Sequence, residues 1–184
     1  FTVSGVKDQT IKLALGATGS SIGDATLGGD LNDSLEYSSD NGSSWSSYSG
    51  GDVSLNGSPL LVRVKINNDS NYEGPETFTL TATNTTASKI ATGLGTIVDD
   101  GTGDTLDPDG KKNEIAGKDD DRTLRVNNVT VNEGSPYAVF TVSGDGAQTI
   151  KLALGSTGGG IGDATLGVDL SKSLEYYDGT AWIS

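Results

Sequence analysis

Residues 77–83 read Thr-Phe-Thr-Leu-Thr-Ala-Thr, an unbroken alternation of threonine with an apolar residue. Successive side chains of a β-strand point to opposite faces, so Phe78, Leu80 and Ala82 share one face and the threonines share the other. Threonine favours extended backbone and keeps the outer face wet. The stretch therefore predicts a strand with one face in a core and the other in water.

The same period of two recurs along the chain. Residues 10–15 place Ile11, Leu13 and Leu15 on one face, and residues 60–66 alternate in the same way. Shorter strands are predicted at residues 34–37, 53–55, 95–98, 124–131 and 138–142. No segment shows a sustained helical period, and turns rich in Gly, Asn, Asp and Ser separate the strands. These features predict an all-β fold, a β-sandwich with Greek-key-like connections.

An internal repeat organises the chain. Residues 1–37 align with residues 140–176 without a gap, and 28 of these 37 positions are identical. A period this long suits whole domains in tandem rather than a solenoid turn. We therefore expect the chain to straddle a repeat boundary. Residues 1–100 would hold the C-terminal portion of one unit without its first strand, residues 101–122 an acidic connector, and residues 123–184 the N-terminal portion of the next unit.

Composition narrows the functional classes. The chain carries a formal net charge of −13 and contains no cysteine, histidine or methionine. Such a surface repels nucleic acid and anionic membranes, so neither is an expected partner. The lack of Cys and His removes most zinc sites and the usual nucleophile–base pairs of enzymes. No apolar run is long enough for membrane insertion. The acidity is either a solvated surface or a source of ligands for divalent cations.

The predicted connector, residues 101–122, has little apolar content and ends in the acidic run at residues 119–121. It is either a flexible acidic linker or a linker stiffened by Ca²⁺, which can join carboxylates that otherwise repel. Its stretch Asp107-Pro-Asp-Gly110 resembles part of a calcium loop, but the remaining spacing does not match an EF-hand.

Residues 38–45, Ser-Ser-Asp-Asn-Gly-Ser-Ser-Trp, resemble the Asp-box, S-x-D-x-G-x-[ST]-W. In that motif the Asp oxygens accept turn amides and the Trp packs beneath the hairpin. Asp-boxes occur in sialidases, away from the catalytic site, so the resemblance implies structural roles for Asp40, Gly42 and Trp45. The second copy, at residues 177–182, is shorter and departs from the pattern.

Further stretches resemble the Calx-beta family, most closely the repeat arrays of RTX-type bacterial adhesins and surface proteins. They are Asn-Asn-Asp-Ser-Asn-Tyr-Glu-Gly-Pro-Glu at residues 67–76, Gly-Thr-Ile-Val-Asp-Asp at 95–100 and Val-Asn-Glu-Gly at 131–134. The resemblance covers most of both partial units. It implies tandem Calx-beta or immunoglobulin-like sandwiches with Ca²⁺ bound by loops at one end.

The resemblance also implies a ligand set for Ca²⁺, which needs six to eight oxygens. Carried over position by position, the ligands are Asp69, Glu73, Asp99, Asp100 and, in the second unit, Glu133. Glu76 either joins them or caps the strand that follows. Exchanger-type members carry a run of acids where this chain has Asn68-Asp69-Ser70, which predicts fewer ions or weaker binding.

A second candidate source of ligands is the duplicated Ile-Gly-Asp-Ala-Thr-Leu-Gly at residues 22–28 and 161–167. Each copy carries one aspartate, Asp24 and Asp163. These are either further Ca²⁺ ligands or turn residues.

Near-identical repeats without a catalytic residue set favour a structural role over an enzyme. We expect an extender repeat of a long extracellular bacterial adhesin or surface fibre, rigidified by Ca²⁺, with neighbouring repeats as its partners. The alternative is a module that binds cell-surface or matrix glycans through Tyr37, Trp45, Tyr48 or Tyr177. A glycosidase would use paired Asp and Glu, and the repetition argues against it.

Overall fold

The structure, a computed structural model, describes residues 1–16, 23–155, 160 and 162–184. The first residues of both Gly-rich loops predicted around Asp24 and Asp163 lie outside this part of the chain. Two compact units divide the chain, Phe1–Gln148 and Thr149–Ser184. The described residues contain strands, turns and bends but no helix, so none offers the long apolar helix that crosses a bilayer.

Eight strands build two four-stranded sheets in Phe1–Gln148. They are β1 (Thr2–Val3), β2 (Thr10–Gly16), β3 (Leu31–Ser38), β4 (Ser46–Ser47), β5 (Val53–Ser54), β6 (Leu60–Ile66), β7 (Glu76–Asn84) and β8 (Ile90–Ile97). One sheet has the order β1-β6-β3-β4 and the other β5-β2-β7-β8, with every pairing antiparallel. The expected strands at 10–15, 60–66 and 77–83 correspond to β2, β6 and β7.

The core is shared by the two sheets. The apolar faces of β2, β5 and β7 contribute to one buried cluster together with those of β3 and β6; its largest members include Leu13, Leu60 and Leu80. A smaller cluster at one end joins Phe78 to Leu31 and Ala25, and Phe1 meets the Phe78 ring edge-on with centroids 5.6 Å apart. The arrangement is consistent with a β-sandwich, in which two inner faces interdigitate.

Two further pairs of short strands lie outside these sheets. β9 (Arg125–Val126) pairs with β10 (Val142–Ser143), and β11 (Tyr176–Tyr177) pairs with β12 (Trp182–Ile183). The strands predicted at 124–131 and 138–142 are therefore much shorter than expected. Within the predicted stretches, the structure places only Arg125–Val126 and Val142 in strands.

The two copies of the repeated Ile-Lys-Leu-Ala-Leu differ in burial. Ile11 and Leu13 are 4% and 6% exposed between their neighbouring strands, whereas the matching Ile150 and Leu152 are 40% and 44% exposed. The local sequence is the same in both places. An apolar stripe becomes a core only when other strands cover it, because sheet stability comes from cross-strand and facing-sheet packing.

Close packing between β7 and β8 depends on a glycine. Gly95 lies opposite Phe78, and a Cβ built at Gly95 would be 2.5 Å from the nearest ring atom of Phe78. We predict that Gly95→Ala lowers the free energy of unfolding by about 1–3 kcal/mol, since the ring must shift inside a packed core. Denaturant unfolding measures this change.

Gly51→Ala is the matched control, because a Cβ at Gly51 meets nothing within 4 Å. It should change the free energy of unfolding by less than about 0.5 kcal/mol. Equal stabilities of the two variants would contradict the packing of β8 against Phe78.

Candidate metal centre

One end of the two sheets collects the acidic residues. β7 begins at Glu76, which pairs with Ile97 at the end of β8, so the loop before β7 and the residues after β8 emerge side by side. Glu73 lies in that loop and Asp99 follows β8. The amide of Glu73 donates to Asp99 Oδ2 at 2.8 Å, which ties the two segments together.

Three carboxylates form the most compact group at this end. Asp30, Glu73 and Glu76 each present an oxygen, and these oxygens lie within 4.8 Å of one another. Two oxygens bound to the same Ca²⁺ at about 2.4 Å can be at most about 4.8 Å apart. The group is therefore compact enough for its three side chains to share one ion.

Asp30 was missed by the sequence analysis, which considered Asp24 in this region. Asp30 lies just before β3, where its Oδ2 accepts hydrogen bonds from the amide and the hydroxyl of Thr26, both at 2.6 Å. The sequence repeat could have identified Asp30 as a candidate. Asp169 occupies the same place in the second copy, and its Oδ2 accepts from the amide of Thr165 at 2.8 Å.

The three carboxyl groups have pKa values shifted in different directions. The charge of Asp30, partial burial and the charges of Asp69 and Asp99 raise the pKa of Glu73. Burial and the charges of Asp30, Glu73 and Asp99 raise the pKa of Glu76. Burial also opposes ionisation of Asp30, but the hydrogen bonds from Thr26 outweigh it and lower the pKa of Asp30. Asp30 therefore ionises more readily than either glutamate, and the repulsion within the group acts mainly on Glu73 and Glu76.

Asp99 has a buried oxygen that lacks a hydrogen-bond donor. Its Oδ1 is buried and has no hydrogen-bond partner, the only such side-chain atom found among the described residues. A buried carboxylate oxygen without a donor is costly, so groups of this kind call for an explanation such as an ion or water.

The connector brings more acids to the same end. The amide of Asp121 donates to the carbonyl of Asp99 at 2.9 Å, and the amide of Gly101 donates to the carbonyl of Asp119 at 2.7 Å. Burial and the charges of Asp119, Asp99 and Asp69 raise the pKa of Asp121. The sequence analysis treated this acidic run as linker, because its return to Asp99 is a tertiary contact.

Four other predicted ligands make different contacts. Asp100 Oδ1 accepts from the hydroxyl and the amide of Thr102, and these bonds lower the pKa of Asp100. Glu133 is exposed in the turn at Asn132–Ser135. Asp24 forms a bridge with Thr77, and Asp163 Oδ2 accepts from the amide of Gly160. None of these four belongs to the three-carboxylate group.

Asp40 makes the turn contacts that the Asp-box resemblance implies. Asp40 accepts from the amide of Ser44 at 2.9 Å and from the hydroxyls of Ser44 and Ser38 at 2.6 and 2.7 Å. The hydroxyl bonds, followed by that amide bond, lower the pKa of Asp40 to about 2. The carboxylate thus braces the turn between β3 and β4.

Trp45 lies beneath a cation rather than open to solvent. The Arg63 guanidinium stacks 4.0 Å from the centroid of the Trp45 ring and pairs with Glu36 at 2.7 Å. The same guanidinium donates to the carbonyl of Pro108 in the connector. Arg63 therefore fastens the connector to the outer face of the first sheet.

A scan against protein-family models, a search of curated proteins and a search of solved structures each find no match to this chain. The Calx-beta resemblance thus stands on the sequence motifs alone.

The raised pKa values of Glu73 and Glu76 set a pH dependence in the absence of metal. A carboxyl with a higher pKa in the folded state binds protons more tightly there, so stability falls as the pH rises above the ordinary glutamate pKa. We predict that Glu73→Gln, in EDTA and low salt, flattens this fall and is more stable than the wild type at neutral pH. Thermal melts across the acidic to neutral range measure the effect.

Asp33→Asn is the control for this experiment, because it removes the same charge from an exposed position on β3. It should leave the slope of melting temperature against pH unchanged. If Glu73→Gln and the wild type show the same slope of melting temperature against pH, repulsion within the group does not destabilise the fold.

Proposed function

We propose that the chain is a Ca²⁺-stiffened structural repeat of a long extracellular bacterial adhesin or surface fibre, built from tandem Greek-key sandwiches of Calx-beta type. The observation that carries the proposal is the group of Asp30, Glu73 and Glu76 at the end of the sheets where the connector returns. The sequence repeat of residues 1–37 at 140–176 supports the tandem array.

The donor chemistry fits a hard cation. The chain has no histidine and no cysteine, so its metal ligands are oxygens, which Ca²⁺ and Mg²⁺ prefer. Asp30, Glu73 and Glu76 would hold the ion. Asp99 is close enough to oppose the ionisation of both glutamates, and Asp69 that of Glu73. Ca²⁺ tolerates irregular sets of six to eight oxygens better than Mg²⁺, which demands octahedral geometry.

The ion would act by cancelling repulsion. A bound cation favours the ionised carboxylates, so it would lower the pKa values of Glu73 and Glu76. The ion would thereby turn carboxylates that repel one another into a connection between β3, the loop before β7 and the residues after β8. Because the connector is bonded to Asp99, the same link holds the connector against the sheets.

The end of the connector is held by side-chain contacts that need no ion. Arg122 forms a two-pronged pair with Asp120, at 2.8 and 2.7 Å, and donates to the carbonyl of Gly146 at 2.9 Å. The hydrogen bond from Arg122, opposed in part by burial, lowers the pKa of Asp120 to about 2. Such contacts favour a stiffened connector over a free acidic linker, and a stiff connector is what a spacer requires.

Ca²⁺ should raise thermal stability. Extracellular Ca²⁺ modules bind with dissociation constants of about 10⁻⁴–10⁻³ M, so about 10 mM Ca²⁺ is expected to raise the melting temperature by roughly 3–10 °C over EDTA. Glu76→Gln should lose most of this increase, because it removes one of the three ligands. Circular dichroism melts with Ca²⁺, Mg²⁺ or EDTA measure it.

Asp33→Asn again serves as the charge-matched control and should keep the full increase. Identical melts of the wild type in Ca²⁺ and EDTA would refute the calcium part of the proposal.

Ca²⁺ should also slow hydrogen exchange in the connector. The amides of Gly101 and Asp121 donate to Asp119 and Asp99 beside the acidic group, so local opening there breaks the link that the ion makes. We predict about tenfold slower exchange of these two amides with Ca²⁺ than with EDTA, equivalent to about 1.4 kcal/mol of local protection.

The amide of Leu55, which donates to the carbonyl of Gln9 at 2.8 Å away from the acidic residues, is the internal reference. Its exchange under conditions of local opening should be nearly independent of Ca²⁺. Equal responses at Leu55 and Asp121 would mean that the ion stabilises the whole unit without stiffening the connector.

The glycan-binding alternative has less support. Trp45 is covered by Arg63, Tyr37 and Tyr48 pack against the core, and the Tyr48 hydroxyl accepts from the amide of Leu13 at 3.0 Å. Tyr177 is exposed and lies beside Trp182, with ring centroids 5.6 Å apart. Binding on a glycan array that is lost in Tyr177→Ala would favour this alternative.

A further inference from the structure

The tripeptide Asn-Gly-Ser occurs at residues 41–43 and again at residues 56–58. Asparagine is thermolabile, because the backbone nitrogen of the next residue can attack its side-chain amide carbon. A glycine in that next place has no side chain to hinder the approach. The two tripeptides have the same sequence, so a large difference in their reactivity would come from the turns that hold them.

Asn56 lies in the exposed turn between β5 and β6. The amide of Ser58 donates to Asn56 Oδ1 at 2.8 Å, which makes an Asx-turn. The ring closed by this hydrogen bond contains both reacting atoms, the Asn56 Cγ and the Gly57 nitrogen. The hydrogen bond also draws electrons from Cγ, so that carbon becomes a better target for a nucleophile.

The nucleophile of this turn is accessible. Gly57 is exposed, and no acceptor for its amide is found in the part of the chain that the structure describes. Water can therefore take the amide proton. One contact opposes the reaction, since Asn56 Nδ2 donates to the carbonyl of Ser39 at 3.2 Å and must leave it. That hydrogen bond is long and lies at the surface, so it is a weak restraint.

The other tripeptide has its nucleophile engaged. The amide of Gly42 donates to Ser38 Oγ at 2.9 Å, and Ser38 is only 2% exposed, so water does not replace this acceptor. Asp40 braces the same turn by accepting from the amide and the hydroxyl of Ser44. Loss of the Gly42 proton, and with it attack on Asn41, therefore requires the braced turn to open.

We propose that Asn56 is a site of spontaneous deamidation and that the braced turn protects Asn41. The Gly57 nitrogen loses its proton to water or hydroxide and forms a bond to Asn56 Cγ. The Cγ–Nδ2 bond breaks, and ammonia leaves with a proton taken from water. A water molecule then opens the cyclic imide at one of its two carbonyl carbons, which gives aspartate or isoaspartate at position 56.

The product weakens the turn. Either acid lacks the amide that donates to Ser39, and it adds a negative charge to a chain whose formal net charge is already −13. Isoaspartate also lengthens the backbone by a carbon atom between Leu55 and Leu60, which are 3% and 2% exposed in the larger core cluster. The isoaspartate form should therefore melt at a lower temperature than the unmodified chain.

The experiment keeps the 184-residue chain in mildly alkaline buffer for days and follows both sites by peptide mapping with mass spectrometry. Asn56 should convert at least about fivefold faster than Asn41, the factor to which one net hydrogen bond corresponds. In denaturant, where both turns are lost, the two rates should lie within about twofold of each other.

Ser38→Ala tests the protection, because it removes the acceptor of the Gly42 amide. It should raise the rate at Asn41 at least about threefold and leave the rate at Asn56 unchanged. Ser47→Ala, at an exposed position on β4, is the matched control and should change neither rate. The comparison of the folded with the denatured wild type keeps the test valid should Ser38→Ala fail to fold.

Equal rates at the two sites of the folded chain, faster conversion of Asn41, or an unreactive Asn56 overturn the proposal. A ratio of rates in denaturant as large as in the folded chain also overturns it, because the sequence and not the turn would then select Asn56. Neither turn contains a residue of the three-carboxylate group, so these outcomes are distinguishable from those of the calcium melts.

Discussion

The pairing of β2 with β7 is the constraint on which the rest of the structure depends. It joins residues about 70 positions apart, from Ile11 with Asn84 to Gly16 with Thr79, and it places Leu13 and Leu80 in one core. Loop closure over that distance is favourable only when the apolar faces of both strands are buried together. In the second copy of the β2 sequence, Ile150 and Leu152 are exposed.

The acidic end is a consequence of that same sheet. β7 and β8 stay in register from Thr83 with Ile90 to Glu76 with Ile97, so the loop before one strand meets the residues after the other. Carboxylates distant in sequence are thereby held together at a cost in mutual repulsion. Proteins tolerate such strain where a ligand relieves it, which is why raised carboxyl pKa values are informative about function.

Sequence patterns predicted what depends on neighbouring residues and missed what depends on distant ones. Alternation located β2, β6 and β7, and the Asp-box pattern predicted the contacts of Asp40 with its turn. Asp30 was overlooked because its partners, Glu73 and Glu76, join it only through folding. The strands expected at 124–131 and 138–142 were overpredicted, because alternation does not show which partner a strand will find.

The connector has a mechanical consequence. Asp100 and Asp120 form an antiparallel bridge, so the chain enters and leaves the intervening loop at the same side. Tension between residues 99 and 121 would break the hydrogen bonds of that bridge one pair at a time. Tension along paired sheet strands instead acts on many hydrogen bonds at once. The loop stores about 20 residues, or roughly 65 Å of extended chain. In the proposed fibre, such units would lengthen at their connectors before the two sheets unfold.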